Sequence, residues 1–228
     1  MRNLMTVALL LGGLALAGCA CPMARLCHGG GKVSIEFDNS YFYDSAGKFQ
    51  EEKAKDAYIA LMRYHGYPVY KDMREKLWVS DYGIGQFAKL GLGARMWANN
   101  EKDHYMLMDI YLLPGQMLPE HWHEKPEALP QKVEGWLVRY GLSHIVGEGE
   151  PNLGPEVVVP KCHMNGTTTT KHEVVAGPGD FVPLNRPGAR HWQLAGPQGA
   201  IITEVANVHA NSAVRHSDQT VNDNFLGK

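Results

Sequence analysis

The sequence predicts a small all-β domain, a sandwich or a barrel, preceded by a short helical segment. From Leu77 onward, short apolar runs rich in aromatic and β-branched residues are separated by turns of Gly, Pro and Asn. The chain also has 25 Gly and 13 Pro in 228 residues, which favours many turns. The candidate strands are 77–80, 86–98, 104–113, 117–123, 132–146, 156–164, 168–175, 180–184, 190–195 and 199–208.

The composition limits the classes of protein to which this chain can belong. An apolar fraction of 44% is enough for a packed core, and the length suits one domain. The net charge is −2, with acidic and basic residues interspersed. No basic stripe for nucleic acid and no polybasic membrane patch is present in the sequence, so we expect no nucleic-acid partner.

The first 18 residues read as a signal peptide. Arg2 supplies a positive charge, and Leu4 to Ala17 is an apolar run too short for a comfortable membrane span. Leu16-Ala17-Gly18-Cys19 resembles the lipobox of bacterial lipoproteins. That resemblance implies cleavage before Cys19, acylation of its thiol and a membrane anchor outside the cytoplasm. Ala20 in place of Asp favours the outer membrane of a Gram-negative cell. The alternative is an ordinary secretory leader with an incidental cysteine.

Three further cysteines remain once Cys19 is assigned to lipidation. Cys21 and Cys27 either close a small loop in the tether or stay unpaired, and the sequence leaves both open. Cys162 lies next to a histidine but lacks a second Cys/His pair, so we expect a structural role.

The chain divides into a tether at 19–32, an arm with helices at 33–76, a barrel at 77–216 and a tail at 217–228. In the arm, Val33 to Tyr43 reads as a strand or extended segment. Helical spacing of Ala54, Ala57, Tyr58, Leu61 and Met62 predicts a helix over Phe49 to Tyr64, ended at Gly66. Val69 to Leu77 reads as a second short helix. We expect the polar tail to lie over the surface or in a partner subunit.

The most closely spaced candidate functional residues surround two histidines. Side chains alternate along a strand, so His121 and His123 share one face and can bind one metal ion. Gly115 lies six positions before His121, Glu134 eleven after His123, and Gly141 seven after Glu134. This pattern resembles the first cupin motif, with an unusually long gap of ten residues before the glutamate.

A second stretch resembles the later cupin motif. Gly179 to His191 ends in a histidine, although it is one residue longer than usual and lacks the trailing Asn. Glu127 is a competing carboxylate, but Pro126 and Pro130 around it predict a loop, so we prefer Glu134. The resemblance implies a cupin-like antiparallel barrel, a double-stranded β-helix. Three imidazoles and one carboxylate suit Mn²⁺, Fe²⁺, Co²⁺, Ni²⁺ or Zn²⁺, with open positions for water or substrate.

Three stretches narrow the resemblance to the cupin-type D-lyxose isomerase family. They are Leu77 to Phe87, Met117 to His123 with Lys132-Val133-Glu134, and Ala200 to Val205. The resemblance covers about Lys76 to His216 and includes the long gap with Lys132 two residues before the glutamate. It implies a divalent metal, most often manganese, on His121, His123, Glu134 and His191, proton transfer by Lys132 and Glu204, and a sugar substrate.

The proton-transfer residues have simpler alternatives. Glu204 could instead pair with Arg190 or Arg215 on the surface of a strand, and Lys132 could be a solvated loop lysine. Trp136 shares a face with Glu134, so it lines a sugar pocket or packs in the core.

The sequence leaves the roles of several other polar residues open. Arg215 and His216 contact a substrate hydroxyl or serve a subunit interface. The remaining histidines have no partner spacing and are expected at the surface or in the core; they are His104, His144, His163, His172 and His209. By analogy with barrels of this type, a homodimer is expected.

Three functions compete. The first is a metal-dependent aldose–ketose isomerase that transfers a proton through an enediol or enediolate. The second is a non-catalytic envelope module that binds or senses a sugar at the metal, which export favours. The third is another cupin enzyme, such as an Fe²⁺ oxygenase. Lys132 and Glu204 together favour the isomerase, because binding alone does not need both.

Overall fold

The computed structural model describes residues 33–228, so the leader, Cys19, Cys21 and Cys27 lie outside the described part of the chain. The predicted all-β class with a short helical N-terminal segment is confirmed. The helices are α1 Glu51–His65, α2 Met73–Lys76 and α3 Gln219–Leu226. The strands are β1 Trp78–Ser80, β2 Leu92–Asn100, β3 Tyr105–Leu112, β4 Met117–His123, β5 Glu134–Gly147, β6 His172–Ala176, β7 Phe181–Pro183, β8 His191–Ala206 and β9 Val214–His216.

The strands form one curled antiparallel sheet built around β8 and β5. β5 runs along one edge of β8 for nearly its whole length. On the other edge, the first part of β8 pairs with β4 and the second part pairs with β3. Likewise, the far edge of β5 pairs first with β7 and then with β6. The two long strands therefore pass from one half of the curled sheet into the other.

The sequence predicted two strands where β8 is continuous. Gly196-Pro197-Gln198-Gly199 reads as a turn, but it lies inside β8. Pairing with β4 stops at Leu194 and pairing with β3 begins at Ala200, so one edge of this stretch has no strand neighbour. A proline costs no ladder hydrogen bond on such an edge, and the strand bends there without ending.

Other element predictions were partly wrong. The stretch 156–164 forms turns, and β2 and β6 begin later than predicted. Neither β9 nor α3 was predicted as a regular element. The polar tail, expected to cover a surface, forms α3: Asp218 caps it by accepting from the N–H groups of Thr220 (2.9 Å) and Val221 (3.2 Å). Val221 is fully buried against the barrel core.

The helical arm packs on the outside of the sheet. All five apolar residues predicted for the helix are buried in α1. Their cluster includes Tyr111 of β3 and Ile201 of β8, separately from the cluster inside the curl. Tyr58 also donates its hydroxyl to Gln116 Oε1 at 2.7 Å. The arm thus covers the outer face of β3 and β8, and the inner face stays free for the site.

Cys162 has no disulfide partner among residues 33–228, and its thiol is half-buried. It lines a groove of about 1030 Å³ that includes none of the predicted metal ligands. Within the described residues, no helix is long and apolar enough to cross a membrane.

Gly141 occupies the bend where β5 and β8 turn together. Its φ is +73°, and a Cβ there would overlap the carbonyl oxygen of Gly199. A left-handed backbone and a backbone oxygen in the way both exclude larger residues. The glycine that closes the predicted cupin motif is therefore required by the bend.

We expect Gly141→Ala to lower the free energy of unfolding by at least about 3 kcal/mol, because it adds steric overlap to backbone strain. Gly47→Ala is the matched control. Gly47 has φ +77° but open space around it, so strain alone should cost about 1 kcal/mol. Urea denaturation of both variants measures the difference. Equal losses in the two variants would contradict a packing role for the bend.

Candidate metal centre

His121 and His123 lie on one face of β4, as the alternation predicted. Their ring centroids are 5.3 Å apart, and both side chains are buried. Trp122 between them faces the other way, where the guanidinium of Arg190 lies 4.5 Å from its ring centroid. The inner face of β4 therefore presents two imidazoles to the inside of the curl.

His191 joins them from the start of β8. It is the direct register partner of His121, and the two ring centroids are 4.2 Å apart. The possible ligand atoms of the three histidines lie within 4.8 Å of one another. The pairing of β4 with β8 thus brings together histidines that are 70 positions apart in the chain.

Glu134, the first residue of β5, completes the cluster. Its Oε1 lies 3.2 Å from His123 Nε2 and 3.4 Å from His191 Nε2. Glu127 is exposed in the loop between β4 and β5, away from these atoms. The ten-residue gap in the motif is this loop, and it delivers Glu134 rather than Glu127 to the site.

Backbone carbonyls fix the tautomers of two histidines. The Nδ1 of His121 donates to the carbonyl of Pro119 at 2.8 Å, and that of His191 donates to Ala189 at 2.9 Å. Each neutral ring then carries its lone pair on Nε2, which faces the cluster. This carbonyl support is the usual partner arrangement of metal-ligating histidines.

The protonation states suit a cation. Burial lowers the pKa of His121, His123 and His191, that of His123 to about 4 with help from the nearby Lys132 ammonium. Burial alone would raise the pKa of Glu134, but Lys132 and the neighbouring imidazoles hold it well below its usual range. Near neutral pH the cluster offers three neutral imidazoles and an ionised carboxylate.

Several polar atoms of the cluster have no hydrogen-bond partner of good geometry among the described residues. They are Nε2 of His191, Nδ1 of His123 and, apart from the ion pair of Glu134 with Lys132, both oxygens of Glu134. Buried polar atoms are rarely left unpaired, and a mixed set of imidazoles and a carboxylate fits a divalent first-row metal ion. The residues present therefore fit the metal that the sequence predicted.

Lys132 and Glu204 are buried beside this cluster. Lys132 Nζ lies 2.7 Å from Glu134 Oε2 and 2.6 Å from Glu204 Oε1. The structure thus excludes the solvated loop position considered for Lys132, and Glu204 pairs with this lysine rather than with Arg190 or Arg215. The two predicted proton-transfer residues contact each other and one metal-ligand candidate.

The charges of Lys132, Glu134 and Glu204 shift one another's pKa values. Burial would lower the pKa of Lys132, but the carboxylates of Glu134 and Glu204 outweigh it and raise that pKa. Burial raises the pKa of Glu204 to about 7, and Lys132 opposes that rise. The two carboxylates therefore favour the protonated, positively charged form of Lys132.

Of Trp136 and Arg215, both candidates for substrate contact, only Trp136 is at the site. Its Nε1 lies 3.3 Å from Glu204 Oε2, and its ring centroid is 4.9 Å from that of His191. Arg215 pairs in register with Trp122 on the outer side of β4 and β9, and its guanidinium lies 2.8 Å from Glu124. Its position is therefore a correction: it faces away from the cluster.

Two further histidines approach the cluster from the segment after β8. The ring centroid of His209 lies 6.0 Å from that of His123, and that of His216 lies 5.7 Å from that of His121. His209 was expected at the surface or in the core. The pairing of β9 with β4 brings His216 opposite His121, and a three-residue strand leaves no periodic signal that would have revealed it.

Fold and site together define an enzyme-like barrel: neutral imidazoles and a carboxylate suited to a divalent metal, next to a buried ammonium and a second carboxylate. No protein-family model matches the chain. A D-lyxose ketol-isomerase of Cohnella laeviribosi is 32% identical over 155 residues, 68% of this chain and 83% of the relative. A D-lyxose/D-mannose isomerase of Thermosediminibacter oceani is 33% identical over 134 residues, 59% of this chain and 72% of the relative.

Solved structures share the fold. An L-ribose isomerase of Cellulomonas parahominis superposes with a TM-score of 0.58 at 13% identity, over 82% of this chain and 97% of that one. An L-ribose isomerase of an Acinetobacter species gives 0.57 at 13% identity with the same coverage. The chain belongs to the D-lyxose ketol-isomerase family. Its predicted class, a sugar isomerase, is confirmed by the curated relatives.

We expect His121→Ala to remove most of the divalent metal bound by the full-length protein, because it deletes one of three imidazole ligands. Elemental analysis after loading with Mn²⁺ and gel filtration gives the stoichiometry. His104→Asn is the control, since His104 is exposed in the turn before β3. Full metal retention in His121→Ala would show that the ligand set is wrong.

Proposed function

We propose that this protein interconverts D-lyxose, or a closely related aldose such as D-mannose, with the corresponding ketose, using a divalent metal ion. The names of the two curated relatives support this substrate class. Manganese is the metal we favour, as the resemblance to the D-lyxose isomerase family implies. Zinc, iron, cobalt and nickel are alternatives, because the donor set of nitrogen and oxygen suits all of them.

The observation that carries the proposal is the contact of Lys132 Nζ with Glu204 at 2.6 Å and with Glu134 at 2.7 Å. A site that only bound a sugar would have no need for a second buried carboxylate held by an ammonium. Burying three charged groups is costly, so their retention favours a chemical role.

An aldose–ketose isomerase must move one proton between adjacent carbons. In the proposed reaction, Glu204 accepts the proton from carbon 2 of the aldose, and the released electron pair forms the double bond of an enediolate. Glu204 then returns the proton to carbon 1. The hydroxyl proton of oxygen 2 is transferred to oxygen 1, so that atoms and charge balance in the ketose.

The neighbouring residues support this transfer. When bound by His121, His123, Glu134 and His191, the metal ion would supply Lewis-acid polarisation of the sugar oxygens. Lys132 offers a fixed positive charge to the enediolate oxygen. Trp136 directs its indole N–H at Glu204 Oε2 and limits how that carboxylate can rotate.

A test of turnover uses the full-length protein loaded with Mn²⁺ and incubated with D-lyxose, D-mannose and related pentoses and hexoses. We expect a ketose product from at least one sugar. In Glu204→Gln, kcat should fall by about 10²- to 10⁴-fold with bound metal unchanged, because the amide cannot accept the proton. Glu127→Gln, in the exposed loop, should leave kcat intact.

If none of the sugars is converted, the isomerase proposal is wrong. That result would favour the envelope module, which binds a sugar without converting it. A Glu204→Gln variant with normal kcat would show that another group moves the proton.

We also propose that the protein is exported and anchored to a membrane through a lipid on Cys19, with a homodimer as a further expectation by analogy. The sequence Leu16-Ala17-Gly18-Cys19 after an apolar run supports the anchor. These positions lie outside the described residues.

For the anchor, we expect the wild-type protein to incorporate labelled palmitate and to sediment with membranes when produced in a Gram-negative host. Cys19→Ser should lose the label and stay uncleaved at the lipoprotein site, while Cys27→Ser should keep both properties. Equal labelling of wild type and Cys19→Ser would refute the lipidation.

A further inference from the structure

His216 lies in the cavity beside the cluster, yet its side chain makes no hydrogen bond with the described residues. Its side chain is buried, with a relative exposure of 5% for the residue. Both of its ring nitrogens are buried and have no hydrogen-bond partner among the described residues. It lines the same cavity as Lys132 and Glu204.

Two buried nitrogens without hydrogen-bond partners make a histidine at this position costly for the stability of the fold. Each buried polar atom without a partner costs about 1–3 kcal/mol. Packing alone would be served equally well by phenylalanine, because the His216 ring contacts Tyr82 and Phe225 edge-on, at centroid distances of 5.3 and 5.1 Å. The imidazole at this position therefore implies a polar ligand that reaches its nitrogens.

We assign this ligand separately from the metal ion, because Glu134 contacts His123 and His191 whereas His216 has no such contact with the carboxylate. The ligand atoms of His121, His123 and His191 cluster within 4.8 Å of one another, and His216 is outside this group. Burial lowers the pKa of the His216 ring, and the nearby backbone of Glu120 slightly offsets that lowering. Among the described residues, however, no carbonyl forms a hydrogen bond with this ring as Pro119 and Ala189 do with His121 and His191. His216 lacks the carbonyl partner that two of the proposed metal ligands share.

The rest of the residue is held firmly. Its backbone N–H donates to Asn222 Oδ1 of α3 at 3.0 Å, and β9 fixes it opposite His121. Asn224 of the same helix donates to the carbonyl of Tyr82 at 3.2 Å. The helix at the C-terminus thus fixes both the backbone of His216 and the Tyr82 ring that packs against it, so the two nitrogens have a defined direction.

We propose that His216 is a substrate-binding residue that hydrogen-bonds a sugar hydroxyl remote from the reacting carbons. A neutral imidazole offers one donor and one acceptor, and a hydroxyl takes both. In the proposed reaction the reacting carbons lie at Glu204, on the second part of β8, whereas His216 lies on β9, which pairs with β4. Both residues line the same cavity, so a sugar whose reacting carbons lie at Glu204 can present a hydroxyl further along its chain to His216. This inference rests on the proposed sugar substrate.

The test compares full-length, Mn²⁺-loaded wild type with His216→Phe, which keeps the ring packing and removes both nitrogens. A pentitol has no carbonyl and cannot isomerise, so its Kd reports binding alone. We expect the Kd for the pentitol and the KM for D-lyxose to rise about tenfold or more, which corresponds to about 1.4 kcal/mol. Bound metal should stay unchanged, and kcat should change less than KM.

Two further variants serve as controls for the effect of His216→Phe. His216→Gln restores a donor and an acceptor, so it should bind the pentitol more tightly than His216→Phe, and it serves if the phenylalanine variant does not fold. His104→Asn should match wild type in every measurement. Thermal unfolding checks that each variant is folded.

The possible failures are distinguishable. If wild type converts sugars and His216→Phe binds the pentitol as well as wild type does, the inference about His216 is wrong and the proposed function stands. Loss of metal in His216→Phe would make His216 a ligand and overturn its assignment to the sugar. If wild type neither converts nor binds any sugar, both proposals fall.

Discussion

The site depends on one buried ammonium. Lys132 lies between Glu134 and Glu204, and removing this ammonium would leave two buried carboxylates without their shared cation, where breaking one comparable buried ion pair costs about 3–5 kcal/mol. Because Glu134 also faces the three imidazoles, the lysine joins the metal-ligand set to the carboxylate that would move the proton. The charge at Lys132 therefore links binding and chemistry in a single group of side chains.

The two bent strands make this group possible. β8 contributes His191 at its start and Glu204 near its end, and these residues belong to different halves of the curled sheet. β5 bends at Gly141 where β8 passes from β4 to β3, so both halves turn their inner faces towards one interior. The helical arm contributes no residue to the site. It covers the outer face of the sheet and so leaves the inner face for polar groups.

Local sequence patterns predicted the residues whose positions follow from local geometry. Strand alternation placed His121 and His123 together, and two prolines marked the loop before Glu134. The burial of Lys132 was not predictable from its surroundings, because its partner Glu204 lies 72 positions away. Arg215 and His216 were indistinguishable in sequence, since only the pairing of the three-residue β9 with β4 decides which of them faces inward. The continuity of β8 was missed because its glycines and proline lie on a locally unpaired edge.

Anomalous diffraction at the manganese edge, from crystals of the full-length protein grown with Mn²⁺, tests the centre most directly. The geometry predicts one strong peak within bonding distance of His121, His123, His191 and Glu134, with Lys132 still paired to Glu204. A peak at another place, or no peak at saturating Mn²⁺, would contradict the account.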